Sequence, residues 1–205
     1  YSLSQGDIEN SCYRITVKRE LASIQNQEQE QNTILNTDTT IPDGLVSNFV
    51  FDLLKEQDQV FVKGPQGQFF LPPGNTSNST PDNTSNNTSN NTSNNSKPIA
   101  LISMGIGITP LYSMLEHSAN LEHSNQIYFI HGNKNKKTQP FHDALMELGK
   151  RANIENHFAY SQASDSINTT GRLTIDTVQH IVKTQSAHFY LCGTHDFMTS
   201  NVVST

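Results

Sequence analysis

From Pro98 onward two kinds of segment alternate, and this alternation restricts the fold more than any other feature of the chain. Short apolar runs fall at residues 99–103, 126–131, 155–160 and 187–192, with helix-like stretches between them at about 110–121, 140–151 and 175–183. Strands separated by helices imply a parallel sheet, because each strand reaches its neighbour through a right-handed crossover. The spacing predicts an α/β domain over 98–205. Upstream the rhythm differs. Residues 13–18, Tyr-Arg-Ile-Thr-Val-Lys, alternate apolar and polar side chains as a half-buried antiparallel strand does. Residues 44–54 read as a short helix with Ser47 as N-cap and Val50, Phe51 and Leu54 at helical spacing. Residues 59–63 read as another strand, and Gly64-Pro65-Gln66-Gly67 as a turn before Phe69-Phe70-Leu71. A β-rich part thus precedes the α/β part.

Two polar stretches interrupt this plan. Residues 24–40 hold three apolar side chains, and residues 74–96 hold none. In the second stretch the unit Asn-Thr-Ser-Asn recurs from positions 75, 83, 87 and 91. So short a polar unit cannot bury a hydrophobic face, so 74–97 is a disordered insertion by composition and no solenoid repeat. Its Asn-x-Ser/Thr triplets follow from the same composition. The low overall apolar content of 34% comes from these two stretches, and the remainder has an ordinary globular share. Glu28, Glu30, Asp38 and Asp82 leave with them, four of the six net negative charges. What remains offers no basic stripe for nucleic acid and no apolar run of the ~20 residues that span a bilayer. Cys12 and Cys192 show neither zinc-ligand nor disulfide-framework spacing, which suits a reducing, cytoplasmic compartment. The opening Tyr1-Ser2-Leu3-Ser4 has no signal-peptide character. The close on Val203-Ser204-Thr205 has no C-cap signal, and both ends read as cuts from a longer polypeptide.

Two junctions could carry chemistry. In residues 102–111 a strand runs into Gly105 and Gly107 and then into a helix with Thr109 as N-cap and Pro110 in its first turn. Glycine lets a ligand approach the backbone, and a helix N-terminus favours an anion such as pyrophosphate. The third glycine of the dinucleotide fingerprint is absent, so a plain strand–helix turn stays open as the alternative. In residues 189–194 a strand ends on Cys192-Gly193-Thr194, at the edge where an open parallel sheet binds ligands. A small buried hydrophobe is the other reading of Cys192. Lys134, Lys136 and Lys137 follow the second α/β strand, where a 2′-phosphate could lie, or form a solvated turn. The eight histidines read as surface or structural residues.

Several segments, in this order, resemble those of ferredoxin–NADP reductase-like flavoenzymes. They are Tyr1-Ser2-Leu3-Ser4, residues 13–20 (YRITVKRE), 44–48 (GLVSN), 64–71 (GPQGQFFL), 105–110 (GIGITP) and 190–193 (YLCG). YRITVKRE, GLVSN and FFL look most like the reductase part of flavohaemoglobins, as do His131-Gly132-Asn133, Phe141-His142-Asp143 and Phe197-Met198. The resemblance implies a β plus α/β fold. An antiparallel FAD-binding barrel over 1–73, interrupted at 24–40 and truncated at its start, would precede an NAD(P)-binding domain over 98–205, truncated at its end.

It also implies roles. Tyr1 would lie against the isoalloxazine and Ser2 near the flavin phosphates. Val17, Lys18 and Glu20 would line the FAD adenosine and pyrophosphate, and Val46 and Ser47 would hold that pyrophosphate at a helix start. Gly105, Ile106, Gly107, Ile108, Thr109 and Pro110 would form the NAD(P) pyrophosphate loop, with Thr109 reaching towards the flavin. Cys192 and Gly193 would edge the nicotinamide pocket. Cys192 and Thr109 would thus stand nearest the reacting rings. Thr194 replaces the family's usual proline, which puts the rigidity of that turn in doubt.

The implied activity is an NAD(P)H-dependent FAD oxidoreductase that hands single electrons to a metal acceptor. In a flavohaemoglobin the acceptor is the haem of an upstream globin, and nitric oxide is converted to nitrate. A stand-alone or iron–sulfur-linked reductase, and an inactive nucleotide-binding fragment, are the alternatives.

Overall fold

The computed structural model describes residues 1–7, 12–25, 39–64, 66–71, 97–120, 125–162, 169–183 and 186–202. The asparagine tract, but for its last residue, and the middle of the first polar stretch lie outside the described residues. The chain divides into two compact units, one of residues 1–16 with 68–205 and one of residues 17–67.

The first unit opens with β1 (Leu3–Asp7) and β2 (Cys12–Ile15), paired antiparallel. The strand expected over 13–18 ends at Ile15 because its ladder runs out at Leu3, where β1 begins. The ladder is irregular between Leu3 and Gln5, so Ser4 sits in a bulge.

In the unit of residues 17–67, β3 (Ser23–Gln25) and β4 (Thr39–Ile41) pair antiparallel across the first polar stretch. The next element is α1 (Leu45–Asp52), whose N-cap is Gly44 and not Ser47. Ser47 is the third helical residue. Its buried hydroxyl donates to the Gly44 carbonyl at 3.0 Å and accepts from the Glu20 amide at 3.2 Å. The Gly44 amide donates to the Glu20 carbonyl at 2.9 Å. The neighbouring segment therefore receives the helix start, and the serine ties it from inside. Arg19 closes the other side of this contact, donating to Asn48 Oδ1 and pairing with Asp52, each at 2.7 Å. Residues 59–63, expected as a strand, carry no ladder, since no strand pairs with them among the described residues. The described strands before residue 98 form two separate antiparallel ribbons, not a closed barrel.

The remainder of the first unit follows the alternation legible in the sequence. Strands β5 (Ile99–Met104), β6 (Ile127–Asn133), β7 (Ile154–Tyr160), β8 (Thr169–Thr170) and β9 (His188–Cys192) form one sheet in the order β8-β7-β6-β5-β9, every pair parallel. Between them run α2 (Ile108–Asn120), α3 (His142–Leu148) and α4 (Ile175–Val182), and α5 (His195–Val202) follows β9. Side-chain alternation along the strands builds two cores. Leu101, Ile127, Phe129 and Ile154 pack with Leu111, Leu115 and Leu145 from α2 and α3. Ala100, Ile102, Ile130 and Ala159 pack with Val178, Val182 and Phe197 from α4 and α5. Burying both faces is what parallel strands require, and it explains their continuous apolar runs.

Candidate functional site

The chain steps outward from β5 through β6 and β7 to β8, then returns to place β9 on the opposite side of β5. The order reverses between β5 and β9. In open α/β sheets ligands bind at this point, outside the carboxyl ends of the strands. Both junctions singled out from the sequence lie there.

β5 ends at Met104 and enters a 3₁₀ turn over Gly105–Gly107 that runs directly into α2. Gly105 has φ +55°, in the left-handed region, and the space where its Cβ would stand is open. Gly107 is packed against the end of β9. A Cβ there would lie 2.6 Å from the Cys192 carbonyl carbon and 2.7 Å from the Gly193 nitrogen. Gly193 is as tightly placed, since its Cβ would lie 2.7 Å from the Phe197 ring and 2.9 Å from Met104 Cβ. The glycines thus bring the ends of β5 and β9 together, and Gly105 leaves open space before the start of α2.

Thr109 is the second residue of α2 and not its N-cap, because helical backbone begins four residues earlier, at Gly105 in the 3₁₀ turn. Its hydroxyl donates to the Ile106 carbonyl at 3.2 Å. That carbonyl would ordinarily accept from the residue-110 amide, which proline lacks. Thr109 supplies the missing donor, so the Thr-Pro pair is a matched unit. Ile108, Thr109 and Pro110 are buried, whereas Ile106 is exposed at the lip.

Cys192 is half-buried, and desolvation raises its thiol pKa. It stays a protonated, apolar thiol at neutral pH and is not poised as a nucleophile. Thr194 answers the doubt raised by the missing proline. Its hydroxyl accepts from the Phe197 amide at 3.4 Å, capping α5 and holding the turn by another means. Thr194→Ala should lower stability by about 0.5–1 kcal/mol in urea unfolding, the usual cost of a lost cap.

In the first unit Tyr1 and Ser2 are exposed at the head of β1, Tyr1 with 70% of its surface free. In the second unit Val17 is half-buried and Val46 exposed. Lys18 and Glu20 form an exposed ion pair at 2.9 Å, of small energetic weight. Ser47 is buried and already bonded as described. Its neighbours at the start of α1 offer the free amides of any helix N-terminus. Lys134, Lys136 and Lys137 are exposed around a short turn after β6, where Asn135 Oδ1 accepts from the Thr138 amide at 3.1 Å.

One buried pair escaped the sequence reading. His131 on β6 is fully buried, with Nδ1 2.8 Å from the hydroxyl of Ser103, its register partner on β5. Burial lowers its pKa to about 4, so the ring is neutral. The available signal was its place at the end of a continuous apolar run, inside a strand covered on both faces. Among the described residues no group of three His, Cys, Asp or Glu side chains could hold a metal ion. No described helix is long and apolar enough to cross a membrane.

A parallel sheet whose switch point joins a glycine turn, a helix N-terminus and a second glycine-bearing edge defines an α/β nucleotide-binding domain. Residues 101–202 match the family model described as the oxidoreductase NAD-binding domain. The chain is 28% identical over 203 residues to flavohemoprotein A of Dictyostelium discoideum, covering 98% of this chain and 41% of the relative. It is 29% identical over 164 residues to the flavohemoprotein of Bacillus subtilis, covering 77% of this chain and 36% of that protein. The chain spans about two fifths of the length of these relatives. The crystal structure of the flavohem-like FAD/NAD-binding domain of nitric oxide dioxygenase from Vibrio cholerae shares the fold, with TM-score 0.60 and 20% identity over 95% of this chain and 76% of that one. The resemblance to ferredoxin–NADP reductase-like flavoenzymes, and among them to the reductase part of flavohaemoglobins, holds on these findings.

Proposed function

We propose that this chain is an NAD(P)H-dependent FAD oxidoreductase, the reductase part of a cytoplasmic flavohaemoglobin that passes single electrons to a haem in nitric oxide detoxification. The observation that carries the reading is the packing of Gly107 on the Cys192–Gly193 peptide. It unites the two segments that the resemblance assigns to one nicotinamide dinucleotide.

The residues fit that group. Gly105 leaves open the volume a side chain would fill, and the turn it opens leads through the exposed Ile106 into the positive end of a 13-residue helix. Gly105, Ile106, Gly107 and Ile108 would hold the pyrophosphate. Cys192 and Gly193 would edge the nicotinamide, the neutral thiol excluding water and leaving no charge beside the ring. Thr109 would shape the approach to the flavin as a positioning residue, its hydroxyl proton being committed to Ile106. FAD would be held by Tyr1 and Ser2 and by Val17, Lys18, Glu20, Val46 and Ser47, the residues that the resemblance assigns to it. When bound, FAD supplies the conversion of a two-electron hydride into single electrons, and the protein's share is alignment of two rings and exclusion of water. No side chain need act as a general acid or base for this transfer.

The full-length gene product titrated with FAD should take it up stoichiometrically, and NADH or NADPH should then reduce ferricyanide catalytically. A full-length product that takes up no FAD and oxidises neither nucleotide would overturn the reading.

A further inference from the structure

We propose that Arg14 is a positioning residue that sets the angle between the flavin-facing strand β1 and the nucleotide-binding helix α2. This rests on the reductase reading above, from which the contact of Tyr1 and Ser2 with the flavin is taken. Tyr1, Ser2, Ser4, Arg14, Thr16, Tyr112 and Phe141 lie in one compact unit.

At one end Arg14 holds the bulge in β1. Its Nε donates to Ser4 Oγ at 3.3 Å and its Nη2 to the Ser4 carbonyl at 3.2 Å. Ser4 Oγ donates in turn to the Arg14 carbonyl at 3.1 Å and accepts from Thr16 Oγ1 at 2.9 Å. Ser4 is completely buried. A bulge re-aims the strand that leaves it, and this one lies two residues from Ser2 and three from Tyr1. The direction in which those residues leave the sheet is therefore fixed by the Arg14–Ser4–Thr16 bonds.

At its other end the guanidinium carbon stands 5.7 Å from the Tyr112 ring centre and 5.5 Å from that of Phe141. These rings stack at 4.2 Å, 10° from parallel. Both distances are within cation–π range. Tyr112 lies on α2, two residues beyond Pro110 and five beyond Gly107, and its hydroxyl donates to Glu116 at 3.1 Å. One planar fork thus ties the bulge that aims Tyr1 and Ser2 to the helix whose start would hold the dinucleotide. A lysine could keep the charge over the rings, but not both bonds to Ser4. Nothing in this role touches the reacting atoms. Arg14 would act through Tyr1, and a displacement of about 1 Å between reacting rings can cost on the order of 100-fold in rate.

The test compares FAD-loaded wild type with Arg14→Leu, Arg14→Lys and Thr16→Val, the last cutting only the far bond of the bulge. Two readouts matter: the fluorescence of bound FAD, which a contacting tyrosine ring quenches, and the division of NAD(P)H kinetics between kcat and KM at saturating FAD. Arg14→Leu should raise bound-flavin fluorescence and lower kcat about 10- to 100-fold, with KM changed less than about threefold. Arg14→Lys and Thr16→Val should fall between it and wild type. If Arg14→Leu does not fold, those two variants decide. Fluorescence and kcat within twofold of wild type in the folded variants would overturn the proposal. So would a loss of FAD affinity and thermal stability with kcat of the loaded enzyme unchanged, since that is plain structural support. A wild-type chain that binds no FAD would overturn the reductase reading itself, and this inference with it.

Discussion

Gly107→Ala should destabilise the protein by about 2–3 kcal/mol and abolish binding of the nicotinamide dinucleotide. The added methyl would stand 2.6 Å from the Cys192 carbonyl carbon and 2.7 Å from the Gly193 nitrogen, and both are backbone atoms that cannot swing aside. Overpacking of this kind forces backbone shifts with costs of that order. The only relief is separation of β9 from the start of α2, which pulls apart the two edges of the proposed nicotinamide site. The loss of binding is therefore expected even where the fold survives. Gly105→Ala is the useful contrast. Its methyl meets nothing within 4 Å, and its penalty is the left-handed backbone at φ +55°, about 1–2 kcal/mol. Urea unfolding and titration with NADH or NADPH check both variants. A Gly107→Ala protein with wild-type midpoint and affinity would show that β9 does not depend on this contact.

Acid should destabilise the fold through His131. The ring's ordinary pKa is near 6.5, and burial holds it at about 4 in the folded state. Between those values the unfolded chain binds the proton and the folded chain does not, so stability falls as pH falls. The contribution is complete above about pH 6.5, declines through the interval, and is gone below about pH 4. A shift of this size corresponds to about 3 kcal/mol. His131→Phe should remove this component, because a phenyl ring does not titrate, while Ser103 keeps the Ile130 carbonyl as an acceptor at 3.5 Å. The check is the difference in unfolding free energy between wild type and variant from pH 7 to pH 4, which cancels the carboxylates common to both. A constant difference across that range would mean that His131 is not the buried neutral group described.

The elements after Pro98 were legible because each is a local pattern. The four apolar runs became β5, β6, β7 and β9 with ends shifted by one or two residues, and the three intervening helices fell where their spacing put them. Helix starts were misread for a common reason. Ser47 and Thr109 look like N-caps in a one-dimensional pattern, but each helix begins earlier, at a glycine whose backbone is taken up by a neighbour or a turn. Before residue 98 the apolar run within 59–63 did not become a strand, since a strand exists only where another strand supplies its ladder. Thr194 carried the opposite lesson, because a residue that departs from the family's proline supplies a cap in its place. The clamp of Arg14 on Ser4, Tyr112 and Phe141 joins residues far apart in sequence, and no window of the chain contains it.

Local chemistry determined the parallel α/β plan, the two glycine-bearing junctions and their suitability for a phosphate-bearing ligand, since apolar runs, turns and helix starts act over a few residues. The tertiary structure decided that these junctions meet. Parallel strands choose partners by burying both faces, and only that choice carries the chain back across β5 and sets Gly107 against Cys192 and Gly193.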